Sequence, residues 1–133
     1  MRYLGIDYGS SRIGIAVSDD AGSFAFPKVI LDNDATLWPA LKKMIINERA
    51  EELVVGDTRS LAGSENTVTA EADAFVARLA QETGKRVHRA REAWSSFEAA
   101  RYAEAGTGHD DSSAAAIILQ RFLDIQPRLE SVE

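Results

Sequence analysis

Two short apolar runs separated by a polar segment open the chain. They are Tyr3-Leu4-Gly5-Ile6 and Ile13-Gly14-Ile15-Ala16-Val17, with Asp7-Tyr8-Gly9-Ser10-Ser11-Arg12 between them. Apolar runs on either side of a Gly/Ser cluster are typical of a β-hairpin, so we predict strands from about Tyr3 to Tyr8 and from Arg12 to Ser18. The first strand then carries a carboxylate at its tip, because Asp7 lies there.

The next segments alternate between strand and helix patterns. After a turn, a third strand is predicted from Phe24 to Leu31, and Pro27 favours a sheet edge or a bulge. A helix is predicted from Thr36 to Arg49, provided that Pro39 lies in its first turn. The apolar run from Glu52 to Gly56 is typical of a strand that is buried on both faces.

A long helix and a fifth strand are predicted in the second half of the chain. The helix follows the polar loop 57–64 and extends to about Gln81, with apolar residues at helical spacing and a stop at Thr83-Gly84. The basic segment from Lys85 to Glu92 is poorly patterned, but its position between two helices predicts a strand.

The last part of the chain is predicted to be helical. One helix runs from Ser95 or Ser96 to Ala105, and a nearly all-apolar helix from Ala114 to Leu123 is capped by Asp110-Asp111. The order βββαβαβα is typical of a mixed sheet covered by helices. We therefore predict one three-layer α/β domain over residues 1–126, with about five strands and helices on both faces, followed by a short acidic tail at 127–133.

The composition favours a soluble domain without thiol chemistry. The chain has 133 residues, of which 45% are hydrophobic, and this length is sufficient for a real core. Without cysteine, neither a disulfide framework nor a thiolate metal site can form. No stretch approaches the roughly 18 apolar residues of a membrane span, and the N-terminus lacks a signal-peptide pattern. We therefore expect a cytoplasmic protein with no membrane partner.

The charge distribution is uneven. The net charge of −6 argues against a protein that binds nucleic acid by bulk electrostatics. The segment 85–91 nevertheless holds four Lys or Arg residues, Arg89 and Arg91 among them, whereas the C-terminal residues 129–133 are acidic. The basic segment is interpreted either as a groove for a substrate or as a solvated strand.

Three acidic residues are each predicted at the junction of an element and a loop. Asp7 ends the first strand, Glu92 ends the fifth, and Asp111 or its neighbour Asp110 begins the last helix. Functional residues gather at such junctions in sheets covered by helices. Converging carboxylates repel one another unless a cation compensates them, and two Mg²⁺ ions about 3.5–4 Å apart can promote phosphodiester hydrolysis. Each acid also has a structural interpretation, as a turn residue, a solvated strand end or an N-cap.

Candidate phosphate-binding groups accompany these acids. Gly9, Ser10, Ser11 and Arg12 can hold a phosphate through backbone N–H groups and a guanidinium, or they can be plain surface residues. Arg59 in its polar loop has the same two interpretations. His109, which lies beside the acids in the sequence, is a secondary candidate for a metal ligand.

Several of these segments resemble one known family. The segment Gly5-Ile6-Asp7-Tyr8-Gly9-Ser10-Ser11-Arg12-Ile13-Gly14-Ile15-Ala16-Val17-Ser18-Asp19 resembles the opening motif of the YqgF family, RuvC-like proteins described as Holliday junction resolvases. The resemblance continues over nearly the whole chain, through Val54-Val55-Gly56, Gly63-Ser64-Glu65, Glu92 with Ser95-Ser96-Phe97-Glu98-Ala99, and the segment from Asp111 to Gln120. The first and last motifs are specific when taken together, whereas the middle ones are weak alone.

The resemblance implies a ribonuclease H-like fold and a nuclease that uses Mg²⁺ or Mn²⁺, with two ions held by Asp7, Glu92 and Asp111. It also implies that the substrate is nucleic acid and that the reaction matures the 5′ end of 16S ribosomal RNA. Cleavage of branched DNA, as by a Holliday junction resolvase, is the alternative.

The sequence departs from the family pattern in two places. Arg91-Glu92-Ala93 stands where the family has Asp-Glu-Arg, and Asp57-Thr58-Arg59 stands where Leu-Pro is common. These departures leave substrate choice and positioning open. Arg59 or Arg91 is a candidate for the positive charge that is missing after Glu92.

Two other classes of function fit parts of the pattern. A sugar or acetate kinase-like ATPase shares the hairpin Gly-Ile-Asp-x-Gly, but such an enzyme needs two of these domains to enclose ATP, and 133 residues supply one. A non-catalytic RNA-binding module fits the altered surroundings of Glu92, whereas the three retained acids favour an enzyme. A resolvase cuts two symmetric strands and requires a dimer. We predict a monomer or a weak homodimer.

Overall fold

A computed structural model describes residues 1–56, 66–90 and 111–131, with side chains for 1–56, 70–90 and 114–125. The elements within these ranges are, in chain order, β1 (Tyr3–Asp7), β2 (Arg12–Ser18), β3 (Ala25–Asp32), α1 (Leu37–Asn47), β4 (Glu52–Gly56), α2 (Asn66–Thr83), β5 (Arg86–Arg89) and α3 (Asp111–Ser131). This order confirms the predicted alternation of strands and helices for the described part of the chain.

The five strands form one mixed sheet in the order β3-β2-β1-β4-β5. The β1–β2 and β2–β3 pairs are antiparallel, and the β1–β4 and β4–β5 pairs are parallel. The carboxyl ends of β1, β4 and β5 therefore lie along one edge of the sheet, the edge that runs across the strands, together with the start of β2 and the end of β3. We call this the Asp7 edge, because Asp7 ends the central strand there.

Helices cover both faces of the sheet, as predicted. One face carries Leu4, Ile6 and Ile15, which pack against α1 and α2 in the larger of two buried clusters. The other face carries Tyr3, Ala16 and Val54, which pack against α3 in the second cluster. Alternation of side chains along each strand accounts for the division.

Small residues allow α3 to lie very close to the central strands. A Cβ placed on Gly5 would lie 2.7 Å from Cβ of Leu119 and 3.2 Å from the carbonyl oxygen of Ala115. A Cβ on Gly56 would lie 3.0 Å from Cδ1 of Ile118. The helix backbone therefore occupies space that side chains fill on the other face.

The structure agrees with the predicted bounds of β2 and β4, and other elements differ by a few residues at their ends. Pro39 does lie in the first turn of α1. Pro27 lies on the edge strand β3, where the pairing with β2 shifts its register between Ile15 and Ala16, so that both parts of the Pro27 prediction hold. Gly84 follows α2 with φ of 67°, which explains why the helix stops there.

Two predicted bounds were wrong. The fifth strand covers only Arg86–Arg89, and the last helix continues beyond Leu123 to Ser131. The continuation takes in most of the segment 127–133 that the sequence predicts as a tail. The predicted helix from Ser95 or Ser96 to Ala105 lies outside the described residues. Within the described ranges, no helix combines the length and apolar character that a membrane crossing requires.

Candidate active site

Asp7 is the last residue of the central strand and is 1% exposed. Its register partners are Gly14 on β2 and Gly56 on β4, so neither neighbouring strand places a side chain beside the carboxylate on that face. A buried charge is costly unless it is hydrogen-bonded, paired or bound to a metal. The predicted position of Asp7 at the tip of the first strand is confirmed. Its burial makes Asp7 the strongest candidate for a functional acid.

The N-terminus of α3 lies at the same edge as Asp7. Phe122 packs against Tyr3 with ring centroids 5.6 Å apart, while Ala115 and Leu119 lie over Gly5, so α3 runs antiparallel to β1. From Gly5, the strand extends about 7 Å to Asp7. From Ala115, the helix extends about 6 Å back to its first residue, Asp111.

These two lengths place the backbone of Asp111 level with Asp7 on the same face of the sheet. The start of the helix at Asp111 agrees with the sequence prediction. The Asp111 side chain lies outside the described residues.

The loop between β1 and β2 is fastened to β3 by one asparagine. Asn33 donates from Nδ2 to the carbonyl oxygen of Gly9 at 2.9 Å, and its backbone N–H donates to the carbonyl oxygen of Ser11 at 2.9 Å. Arg12 is exposed at the start of β2 and shares its strand face with Gly14 and Ala16. Arg12 therefore lies on the face and at the edge that carry Asp7.

Ser10 of the same loop points to the other face of the sheet. Its hydroxyl donates to Oε1 of Glu71 on α2 at 2.9 Å. Tyr8 donates from its hydroxyl to the same oxygen at 3.4 Å and accepts a hydrogen bond from Asn33 Nδ2 at 3.3 Å. Burial, followed by the charge of Glu71, raises the pKa of the Tyr8 phenol, whereas the Asn33 hydrogen bond lowers it.

Sequence reasoning missed Asn33 and Glu71. The only signal for Glu71 is its spacing, since Glu71, Phe75 and Arg78 recur at helical intervals on one side of α2.

Arg89 does not lie on the face of Asp7. Its Nε donates to Oδ1 of Asp73 on α2 at 3.1 Å, and its Nη1 donates to the carbonyl oxygen of Val55 at 3.4 Å. His88 takes the α3 face instead, where its Nε2 lies 2.6 Å from Oε1 of Glu52 and its ring packs on Phe122. The basic segment is therefore divided between two faces, because successive residues of a strand point in opposite directions.

Other predicted site residues lie outside the described residues. They are Arg59, Arg91, Glu92, His109 and Asp110. The segments 57–65 and 91–110 that contain them leave β4 and β5 at the Asp7 edge. Ala90, two residues before Glu92, packs with Ala115 in the cluster under α3.

The chemistry of the Asp7 edge suits a hard divalent cation. Carboxylate oxygens are the ligands that Mg²⁺ and Mn²⁺ prefer, and the chain has no cysteine to favour a softer metal. Among the described residues, no group of three His, Asp or Glu side chains lies close enough to hold a metal.

Comparison with known families decides where the chain belongs. A sequence model of the family described as RuvX, Holliday junction resolvase, matches residues 1–125. The chain belongs to the RuvX family. RuvX and YqgF are the same family, so the resemblance drawn from the motifs is confirmed.

Curated relatives carry a different functional description. A protein of Oleidesulfovibrio alaskensis named "Putative pre-16S rRNA nuclease" is 37% identical, over 94% of this chain and 93% of its own. A protein of Opitutus terrae with the same name is 38% identical, over 93% of this chain and 92% of its own.

Solved structures show the fold. Thermus thermophilus RuvC in complex with a Holliday junction substrate superposes with a TM-score of 0.54 at 16% identity, and each chain is covered to 96%. A second structure of Thermus thermophilus RuvC gives a TM-score of 0.50 at 16% identity, covering 92% of this chain and 94% of that one. The predicted ribonuclease H-like fold is thereby confirmed.

Proposed function

We propose that this protein is a metal-dependent endonuclease that hydrolyses phosphodiester bonds in the 5′ leader of precursor 16S ribosomal RNA. One observation carries the proposal: Asp7 is buried at the end of the central strand, between two glycines, level with the start of α3. A structural role in a turn does not require a carboxylate at such a position. The names of the relatives support a hydrolase that acts on nucleic acid.

Asp7, Glu92 and Asp111 form the proposed acidic triad. The Asp111 backbone lies level with Asp7, which supports placing these two acids in one site. For Glu92, the support is that its segment leaves β5 at the same edge and that Ala90 already faces α3. His109 and Asp110 remain secondary candidates, since they adjoin Asp111 in the sequence.

The triad would hold Mg²⁺ or Mn²⁺, and we propose two ions. Three carboxylates at one edge supply the hard oxygen ligands that both ions prefer. Bound there, the ions would supply activation of a water molecule and neutralisation of charge on the scissile phosphate.

Residues of the chain itself would hold the flanking backbone of the substrate. The loop Gly9-Ser10-Ser11, which follows the end of β1, would supply backbone N–H groups, and Arg12 would add a guanidinium on the face of Asp7. The N-terminus of α3 adds the positive end of a helix dipole at the same edge. Arg59 and Arg91, in the segments that leave this edge, are further candidates for phosphate contacts.

The basic segment contributes less than the sequence suggests, because Arg89 is bonded to Asp73 on the other face. Few cations then contact the substrate, and the overall charge of −6 opposes non-specific binding. We therefore expect modest affinity that falls as the salt concentration rises. An rRNA substrate would place the reaction in the cytoplasm.

A Holliday junction resolvase is the second candidate. The description of the family and the fold shared with RuvC favour it. Such an enzyme must present two active sites to two symmetric strands, so it would act as a dimer. RNA processing requires only one site.

The test is cleavage of two labelled substrates, a 16S precursor 5′ leader and a four-way DNA junction. Each substrate is incubated with Mg²⁺, with Mn²⁺ and with EDTA, using the wild-type protein and Asp7→Asn. Metal-dependent cleavage of the leader that is lost in the variant would support the proposal. Symmetric cleavage of the junction alone would favour the resolvase.

Binding of the leader with no cleavage of either substrate, in Mg²⁺ or in Mn²⁺, would overturn both nuclease assignments and favour a non-catalytic RNA-binding module. Full activity of Asp7→Asn would overturn the assignment of the site.

A further inference from the structure

A second concave feature lies on the opposite face of the sheet from Asp7. It is a cleft of about 320 Å³ between α1 and α2, at the lower end of the range for small-molecule sites. Leu37, Trp38 and Phe75 line it with apolar surface, and Asn33, Glu71 and Arg78 add polar groups. The cleft is thus neither an apolar groove nor a purely charged surface.

The cleft and the proposed active site share one edge of the sheet. Tyr8 lines the cleft and directly follows Asp7 in the chain. Since successive side chains at this strand end point to opposite faces, the Asp7 side chain points to one face of the sheet and the Tyr8 side chain to the other. A nucleic-acid strand bound across this edge at Asp7 would have a neighbouring base within reach of the cleft.

One wall of the cleft is formed by aromatic side chains. The Trp38 and Phe75 ring centroids are 5.3 Å apart with a tilt of 36° between the planes, and those of Phe75 and Tyr8 are 5.1 Å apart with a tilt of 45°, so three tilted rings form a continuous wall. Ala74 contributes only a methyl group, which keeps the cleft open beside Phe75. Aromatic walls of this kind hold unstacked nucleobases.

Charged groups stand at opposite sides of this wall. Arg78 lies over the Trp38 ring with Cζ 4.3 Å from the centroid, and it is half exposed. Glu71 is oriented by hydroxyl groups of Tyr8 and Ser10, both of which bond to Oε1. Its Oε2 makes no hydrogen bond with the residues that the structure describes, so it remains an acceptor for a ligand.

The carboxylate selects among the bases by chemistry. Guanine is the nucleobase whose Watson–Crick edge presents two adjacent donors, N1–H and the N2 amino group, and the two lone pairs of Glu71 Oε2 can accept one hydrogen bond from each. Adenine and cytosine present one donor beside an acceptor, which would face the negative charge. The guanidinium of Arg78 can bind the phosphate of the same nucleotide.

We propose that this cleft is a guanine-binding subsite for an unpaired nucleotide of the substrate strand. Glu71 accepts hydrogen bonds from the Watson–Crick edge, the wall of Tyr8, Phe75 and Trp38 supports the base, and Arg78 contacts a phosphate. The subsite rests on the proposed nuclease function, to which it adds a preference for guanine beside the scissile bond.

The test measures binding without cleavage. Labelled pentaribonucleotides UUGUU and UUAUU are titrated with the protein in EDTA and followed by fluorescence anisotropy. The wild type is expected to bind UUGUU about tenfold more tightly than UUAUU, because hydrogen bonds to a charged acceptor typically give discrimination of this order. Unlabelled GMP serves as a competitor.

Two substitutions probe the chemistry and the space. Glu71→Gln, which keeps the shape of the side chain, should abolish the preference for guanine. Glu51→Gln is the matched control, because Glu51 is an exposed carboxylate just before β4, at the opposite end of the sheet from the cleft, where it accepts the backbone N–H of Arg2. Ala74→Leu should weaken binding of UUGUU at least about fivefold, because the larger side chain fills the cleft.

The proposal is overturned if the wild type does not distinguish the two oligonucleotides, if Glu71→Gln and Glu51→Gln behave alike, or if Ala74→Leu binds UUGUU as the wild type does. Binding of GMP with no binding of UUGUU would also overturn it, since the cleft would then serve a free nucleotide.

The two proposals can fail separately. Cleavage of the leader without guanine preference would remove only the subsite. Guanine preference in a protein that cleaves neither substrate would remove the nuclease function instead.

Discussion

On one face of the sheet α1 and α2 lie over large side chains, and on the other face α3 lies almost directly on the backbone. Leu4, Ile6 and Ile15 fill the space under α1 and α2. Under α3, Gly5 and Gly56 have no side chain, and the helix lies too close to them for a Cβ to fit without displacement. The first arrangement gives a thick hydrophobic core that stabilises the fold. The second brings the start of a helix to the level of a buried acid.

This difference between the two faces explains how the candidate acids are positioned. Asp7 and Asp111 belong to elements whose separation is fixed by backbone contact at Gly5, so their relative position depends on few side-chain conformations. The cleft on the other face is defined by side chains, namely the rings of Trp38 and Phe75 and the carboxylate of Glu71. We therefore expect substitutions on the two faces to have different effects on catalysis and on stability.

The largest effect is expected at Asp7. Asp7→Asn replaces the buried carboxyl group by an amide, and cleavage of the leader in Mg²⁺ should fall at least about a hundredfold because the proposed metal site then lacks a ligand. Asp19→Asn is the matched control at the opposite end of the sheet, where the side chain accepts backbone N–H groups of Ser23 and Phe24 that asparagine can also bind. Equal activity of the two variants would contradict the account.

A methyl group at Gly5 should test the contact beneath α3. Gly5→Ala is expected to cost about 2 kcal/mol in the free energy of unfolding, because the new methyl meets Cβ of Leu119 and the backbone of Ala115. Gly56→Ala should cost less, since its methyl meets only side-chain atoms of Ile118, the nearest at 3.0 Å, and no backbone atom of α3. Urea denaturation measures both, and a smaller loss at Gly5 than at Gly56 would show that α3 is not held by this contact.

Tyr8 should link the stability of the cleft face to pH. Tyr8→Phe removes hydrogen bonds to Asn33 and Glu71 and is expected to cost about 1 kcal/mol at neutral pH. Burial raises the pKa of the folded Tyr8 phenol above its unfolded value of 10.0, so the associated stability is present below pH 10 and lost as the pH rises through the folded value.

Thermal unfolding of the wild type and Tyr8→Phe between pH 7 and strongly alkaline pH checks this sign. The two stabilities should converge as the pH rises above about 10. Parallel curves would contradict the assignment.

The smallest effect is expected at Arg78. Arg78→Gln removes the cation above the Trp38 ring and its exposed ion pair with Glu82, and it should cost about 0.5 kcal/mol, since both contacts are weak at the surface. Arg78→Lys keeps a cation and should recover part of the loss in thermal unfolding. If Arg78→Gln and Arg78→Lys lowered the thermal stability equally, a cation above the Trp38 ring would contribute nothing to stability.

Much of the fold could be predicted from the sequence, because strands that are buried on both faces are short, almost uninterrupted apolar runs between polar segments. The alternation in residues 12–18 and the apolar run 52–56 give the strand bounds that the structure has. Residues 85–92 have no such period, so the sequence predicted too long a strand and could not show that Arg89 faces α2. The end of α3 was also missed.

The acid at the strand tip could be predicted, whereas the cleft could not. Asp7 is conspicuous in the sequence, because a carboxylate stands directly beside an apolar run. Asn33 and Glu71 are separated by 38 positions and stand in polar surroundings, where nothing distinguishes them from surface residues. Their relation to Tyr8 arises only from the packing of β3 and α2 around the hairpin loop.

The central claim is that Asp7 belongs to a metal site, and the most direct test is Mn²⁺ binding followed by the loss of the free-ion electron paramagnetic resonance signal. We expect saturable binding by the wild type and by Asp19→Asn, and at least about tenfold weaker binding by Asp7→Asn. Binding by Asp7→Asn that matches the wild type would contradict it.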